Sequence, residues 1–254
     1  MKFSKALIIL LCSLAFVACA DKHENASDKT VGNREHTKEG EEIKYVNYLD
    51  EIDVSDIEIV CMQAEYVIDI SNIEELINAY DHVFIGTVDS IDGCSTTIGT
   101  NSFNFIPKTY GTLSVLDDLK GNMNQDKIQF ARTGGVISIA DYEKNAPKEM
   151  LVNDEKHRLD ANQENIDKES TYHKYLLDGD IDLEAGKTYL FFGSFYESGV
   201  FSIYGAQYGA REVRQKDTNI TTFRSLPEVN SLEIKNNDTG EYEMLDSIID
   251  QYFK

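Results

Sequence analysis

The sequence predicts an all-β domain with one helix before its first core strand and another at its C-terminus. Three observations carry this. Apolar residues recur at helical spacing in two places, Ile73, Leu76, Ile77 and Tyr80, then Met244, Leu245, Ile248, Ile249 and Tyr252. Between them lie segments rich in β-branched and aromatic residues: His82–Ser90, Tyr110–Leu116, Lys127–Thr133 and Gly135–Ala140. Thr188–Phe195 (TYLFFGSF) is apolar at both odd and even positions, the pattern of a strand covered on two sides.

The chain begins with Lys2 and Lys5, then an apolar run from Ala6 to Phe16 that is too short to span a bilayer stably. Phe16-Val17-Ala18-Cys19 resembles a bacterial lipobox, with Phe16 where leucine is usual. The resemblance implies a signal peptide over 1–18 and a lipid on Cys19. Residues 19–44 are polar and charged without an apolar cluster, so they are expected to be a disordered tether. Some two dozen flexible residues reach roughly 25–30 Å. The expected location is outside the cytoplasm, anchored to the cell membrane through Cys19, with a Gram-positive surface favoured.

Residues 45–254 are then one domain. Ile57–Met62 and Tyr66–Ile70 read as short strands, an edge hairpin or a lead-in strand. Ser71-Asn-Ile-Glu74 reads as a capping box opening the first helix. Asp118–Asn122 is a turn, and Asp92–Lys108 is a long loop whose Phe103, Phe105 and Ile106 either fold back or extend the flanking strands. Asp141–Gly186 is mostly polar and reads as a surface insertion, partly helical around Glu164–Leu176. Glu197–Gly199 turns the central strand into its partner Val200–Tyr204. Ala206–Arg214, Asp217–Phe223 and Ser231–Lys235 are further strand candidates, and Asn236–Gly240 is a turn cluster.

The succession AYDHVFIGTV, GTLSVLDDLKGN, KIQFARTGG and LEAGKTYLFFG is similar to an OB-fold module of bacterial lipoproteins and surface proteins, of the netrin-like or TIMP-like kind. The resemblance spans Ser71–Gly135 and Leu183–Tyr208. It implies a small closed barrel filled by side chains, and it implies no catalytic set. The metalloprotease inhibition of the TIMP branch uses a free amino-terminal cysteine. Here that cysteine is expected to be acylated on a tether, and the disulfide framework of that branch is missing, so the activity is not carried over.

Composition narrows the function. The net charge is −21, and removing residues 1–18 takes away two lysines and no acid. Such a chain is repelled by nucleic acid and by anionic lipid, so nucleic-acid partners are excluded and contact with the membrane runs only through the N-terminal lipid. There is no Trp to stack on sugars, which favours a protein partner over a carbohydrate. Once Cys12 is removed and Cys19 lipidated, Cys61 and Cys94 remain, either bridged or as two separate thiols. No cysteine–histidine spacing supports zinc. Asp178–Glu184 alternates acids, but counting from Asp178 places Leu183 and Tyr189 where a calcium loop needs Gly and Glu. His23, His36, His82, His157 and His173 are scattered. No metal or cofactor is therefore expected.

No hydrolase, P-loop or dinucleotide signature occurs. Tyr204, Tyr208 and Arg211, on the glycine-broken stretch YGAQYGAR, are the residue types of a binding surface. The expected function is a lipid-anchored, non-enzymatic binding module with an unidentified protein partner. The alternative is an envelope hydrolase or transport component whose site has no local motif.

Overall fold

A computed structural model describes residues 44–53, 57–99, 102–152, 156 and 166–254. The expected signal peptide, Cys19 and all of the expected tether but Lys44 lie outside the described residues. Residues Ile43–Lys254 form one compact unit. It is mostly β-sheet, with short helices at its margins. The strands are β1 Val46–Asn47, β2 Glu58–Met62, β3 His82–Ser95, β4 Lys108–Lys120, β5 Lys127–Thr133, β6 Gly135–Ser138, β7 Tyr172–Leu177, β8 Thr188–Phe195, β9 Phe201–Ile203, β10 Ala210–Gln215, β11 Leu232–Lys235 and β12 Tyr242–Met244. The helices used below are α1 Ile73–Ala79, α2 Ile139–Glu143 and α3 Leu245–Tyr252.

Five strands hydrogen-bond in a ring, in the order β3-β4-β5-β9-β8 and back to β3. Every neighbouring pair is antiparallel except β5–β9, which is parallel. β3 and β4 are the long members. Their register shifts four times, and each irregularity bends the ribbon and helps it curl. Gly111 sits at a close approach of the two strands, because a Cβ there would come within 2.0 Å of the Ser90 carbonyl oxygen. From β8 the sheet continues outward through β10 and β11 to β12.

Side-chain alternation along β3 and β8 explains why both look apolar on two sides. Phe84 and Val88 of β3, with Tyr189 and Phe191 of β8, join Leu113, Ile128, Phe130, Phe201 and Ile203 in a cluster drawn from all five ring strands. Val83 and Ile85, with Leu190 and Phe192, point the other way. They pack with Leu76 and Ile77 of α1, Val213, Leu232 and Ile234 of the outer strands, and Leu245 and Ile248 of α3. The helices thus cover the outer face of β3 and β8 and bury the apolar stripe that made them predictable.

Several local expectations are corrected. Asn72, not Ser71, caps α1, accepting from the Glu74 amide at 3.0 Å. The carboxylate that reaches back is Glu75, to the Asp69 amide at 2.8 Å, while Ser71 bonds to Asp69. Tyr66–Ile70 and Asp217–Phe223 are not strands. The expected strand Gly135–Ala140 stops at Ser138, whose hydroxyl accepts from the Asp141 amide and starts α2. Ala206–Gly209 is a 3₁₀ turn, so β10 begins only at Ala210.

The largest correction concerns the insertion. Residues expected to be helical up to Leu176 contain β7, which pairs parallel with β2 on one side and antiparallel with β6 on the other. This three-stranded sheet adjoins the ring where Gly134 bonds to Pro107 and Thr109. β7 carries no helical apolar stripe of its own, and two open strand edges recruit it. Cys61 and Cys94 are free thiols. Cys94 packs against the Gly134–Gly135 backbone, its thiol 3.8 Å from the Gly134 carbonyl, whereas Cys61 lies on β2 with β7 and then β6 in between. Two strand spacings of roughly 4.8 Å exceed the ~7 Å Cα separation a disulfide tolerates. Burial pushes the Cys94 thiol up to about 12, so it is held neutral.

Candidate functional site

The seam between ring and three-stranded sheet is organised by Arg132, the sixth residue of β5. Its neighbours Phe130 and Ala131 are buried, and its own guanidinium is buried as well, with the side chain 9% exposed. It donates to Asp180, to the carbonyl of Ile181 and, at 3.2 Å, to the carbonyl of Ala206. One side chain therefore ties β5, the loop after β7 and the turn before β10. The Asp180 side chain is only 4% exposed. Burial raises its pKa, and the attraction of Arg132 offsets that only in part. A second tie is Tyr48, whose hydroxyl donates to the Val136 carbonyl at 2.8 Å and accepts from the Val136 amide at 3.1 Å. Burial raises the pKa of this phenol, which keeps it protonated.

Above the Arg132–Asp180 pair lies a cleft of about 230 Å³. Its walls are Tyr66, Ile106, Leu177, Ile203 and Tyr204, with Gln63 at one side. Tyr204 is held by stacking on Tyr80, with ring centres 5.3 Å apart and planes 6° apart. The rim is unusually apolar for an exposed loop edge. Of the lining residues, Tyr66 is 37% exposed and Ile106 40%; next to them in the chain, Phe105 is 64% exposed and Val67 fully exposed. Apolar walls, a fixed aromatic and a neutral ion pair at the floor suit the burial of an apolar group with a few polar anchors.

The structure separates the three residues expected to share a binding surface. Tyr204 lines the cleft. Gly205, at φ 91°, and Ala206, at φ 46°, then reverse the chain and carry Tyr208 and Arg211 elsewhere. The Tyr208 hydroxyl donates to Asp238, and its ring lies 6.0 Å from the Arg211 guanidinium. Arg211 is 5% exposed, and its Nε has no hydrogen-bond partner among the described residues. Burial lowers its pKa, and Glu243 and Asp238 act against that. Arg211 is thus a buried charge beneath Tyr208 rather than a surface contact. Sequence reasoning gave no site role to Tyr66, read as the start of a strand, to Tyr80, read as part of the helix stripe, or to Arg132, and it weighed Asp180 only as one acid of Asp178–Glu184.

A second, polar hollow of about 360 Å³ is lined by Glu51, Asp92 and Asp141 with Tyr48, Tyr110 and Tyr172. Among the described residues, no group of three His, Cys, Asp or Glu is placed to hold a metal ion. In the segment Asp178–Glu184, Asp180 is engaged by Arg132 and Asp182 by Lys174. No described helix is long and apolar enough to cross a membrane. No family model, curated protein or solved structure matches this chain.

Proposed function

We propose that this chain is a lipid-anchored, extracytoplasmic binding module built on an OB-type barrel, and that it takes part of a protein partner into the cleft between its two sheets. The ring order, with one parallel pair closing four antiparallel ones, supports the OB reading. The netrin-like or TIMP-like resemblance stays with that proposal, and the inhibitory activity of the TIMP branch does not come with it. The lipid on Cys19 rests on the lipobox alone. Changing Cys19→Ala is expected to release the protein from membranes; undiminished retention would reject the anchor.

The observation that carries the binding reading is the cleft itself, whose Tyr66 and Ile106 are exposed, with exposed Val67 and Phe105 next to them in the chain. Such a cluster on a domain this acidic has a cost in solubility that a partner relieves. The volume of about 230 Å³ falls below the roughly 300–1,000 Å³ of small-molecule sites. It suits one or two side chains of a protein better than a cofactor or a sugar ring. The test is photocrosslinking on intact cells, with a photoreactive aromatic residue at Tyr66 and, separately, at the exposed Ile220. A discrete adduct from position 66 and none from 220 is expected. Equal adducts from both positions, or none from 66, would overturn the reading.

A further inference from the structure

Tyr196 follows β8 directly, at the turn into β9, and its phenol oxygen is a meeting point of donors. Lys108 Nζ, at the start of β4, donates to it at 2.7 Å. Ser202 Oγ of β9 donates at 2.9 Å, and Ser202 is almost fully buried. The Tyr204 side chain, two residues beyond Ser202, also acts electrostatically on Tyr196. The Lys108 ammonium also lies 4.7 Å from the centre of the Tyr196 ring. The ring is fixed from one side by the loop at Gly99, where a Cβ would come within 2.5 Å of the ring carbons. Ser198 Oγ holds that loop by donating to the Gly99 carbonyl at 3.1 Å.

This set of partners has a chemical consequence. An ammonium has no lone pair to offer, and the Ser202 proton is already directed at Tyr196. A neutral phenol here can give its proton only to a hydroxyl that turns to accept it, whereas a phenolate accepts from Lys108 and Ser202 together. Burial favours the neutral form, yet the hydrogen bonds from Lys108 and Ser202 outweigh it, and Tyr196 ionises more readily than an ordinary tyrosine. Tyr204 is shifted the opposite way, first by burial. The groups that face the Tyr196 oxygen are Lys108 from β4 and Ser202 and Tyr204 from β9 and its end.

We propose that Tyr196 is a nucleophilic modification site whose phenol oxygen, on losing its proton to solvent, accepts acyl or sulfonyl groups from activated esters and sulfonyl halides. The Tyr196 oxygen attacks the carbonyl carbon or the sulfur. The new O–C or O–S bond forms as the bond to the leaving group breaks, and the leaving group departs with the electron pair. A leaving group that needs a proton takes it from the Lys108 ammonium, which regains one from solvent. A hydrogen-bonded, charge-paired oxygen of this kind is the arrangement that activates an otherwise weak nucleophile. The reaction is stoichiometric.

The test uses the folded full chain and a limiting amount of an aryl sulfonyl fluoride at neutral pH, with the label located by peptide mass spectrometry. Tyr196 is expected to be labelled ahead of the other tyrosines, including the more exposed Tyr66. The phenolate fraction at a given pH rises as the pKa falls, so Lys108→Met is expected to slow labelling. Lys108→Arg, which keeps a charged donor, restores most of the rate, and Ser202→Ala slows it to a lesser degree. Near-UV circular dichroism confirms that each variant is folded. Labelling of Tyr66 at an equal rate, a label on Lys108 in place of Tyr196, or a folded Lys108→Met chain that reacts as fast as the parent would overturn the proposal.

Discussion

The ring and the three-stranded sheet beside it are held in different ways. The ring is closed by apolar packing: Phe84, Phe130, Phe191 and Phe201 are fully buried in its cluster. The β2-β7-β6 sheet is short and half-exposed, and it is fastened to the ring by polar ties through Arg132 and Tyr48. Apolar packing is cumulative and non-directional, so each position contributes in proportion to the surface it buries. A buried ion pair is all-or-none, because removing one partner strands the other charge. The flexible, recognising part of this molecule is therefore expected at the seam and not in the ring.

That contrast can be broken at graded cost. Phe191→Ala is expected to destabilise the whole domain by about 3–5 kcal/mol, read as a lower urea midpoint with one cooperative transition. Asp180→Ala leaves the Arg132 guanidinium buried without its carboxylate and is expected to cost about 3 kcal/mol. Replacing both members, Arg132→Met with Asp180→Leu, is expected to cost less than Asp180→Ala alone. A double variant worse than the single one would show that the seam depends on the carbonyl contacts of Arg132 more than on the ion pair.

A third variant probes the ring's outer sheet, where charge assists apolar packing. Glu212 accepts from Lys187 at 2.8 Å and from the Tyr242 hydroxyl at 2.5 Å. Burial pushes its pKa up, but these hydrogen bonds more than compensate, and the net shift is downward. A carboxylate whose folded pKa lies below the unfolded value adds stability above that unfolded value, near 4.3. The contribution fades as the pH falls through the folded value. Glu212→Gln is expected to lose about 1 kcal/mol at pH 7 and to flatten the acid limb of the stability profile. An unchanged acid limb would remove Glu212 from the account. The smallest effect belongs to Cys61→Ser, on exposed β2, within about 0.5 kcal/mol. A large loss there would mean that Cys61 is engaged in a bond.

What could be read in the sequence follows the same division. β5 and β8 begin and end where the sequence placed them, since alternation and two-sided apolarity are local signals. α1 and α3 follow from their stripes, with only the cap of α1 displaced by one residue. β7 was not legible, because Tyr172–Leu177 becomes a strand only between edges supplied by β2 and β6, each far away in the chain. The burial of Arg132 was hidden for a similar reason: its carboxylate partner is 48 residues away, in a segment that reads as solvated acid. Of the proposed surface, Tyr204 was legible as a hairpin-end aromatic. The division of Tyr204 from Tyr208 and Arg211 depends on two successive positive φ angles, at Gly205 and Ala206.

The most direct test of a ring closed by packing, with a sheet riveted to it, is amide hydrogen exchange on the parent and on Asp180→Ala. The expected result is faster exchange in Gly135–Ser138 and Tyr172–Leu177 of the variant, with Lys127–Thr133 and Thr188–Phe195 protected as in the parent. Equal loss of protection in both regions, or no change in either, would contradict it.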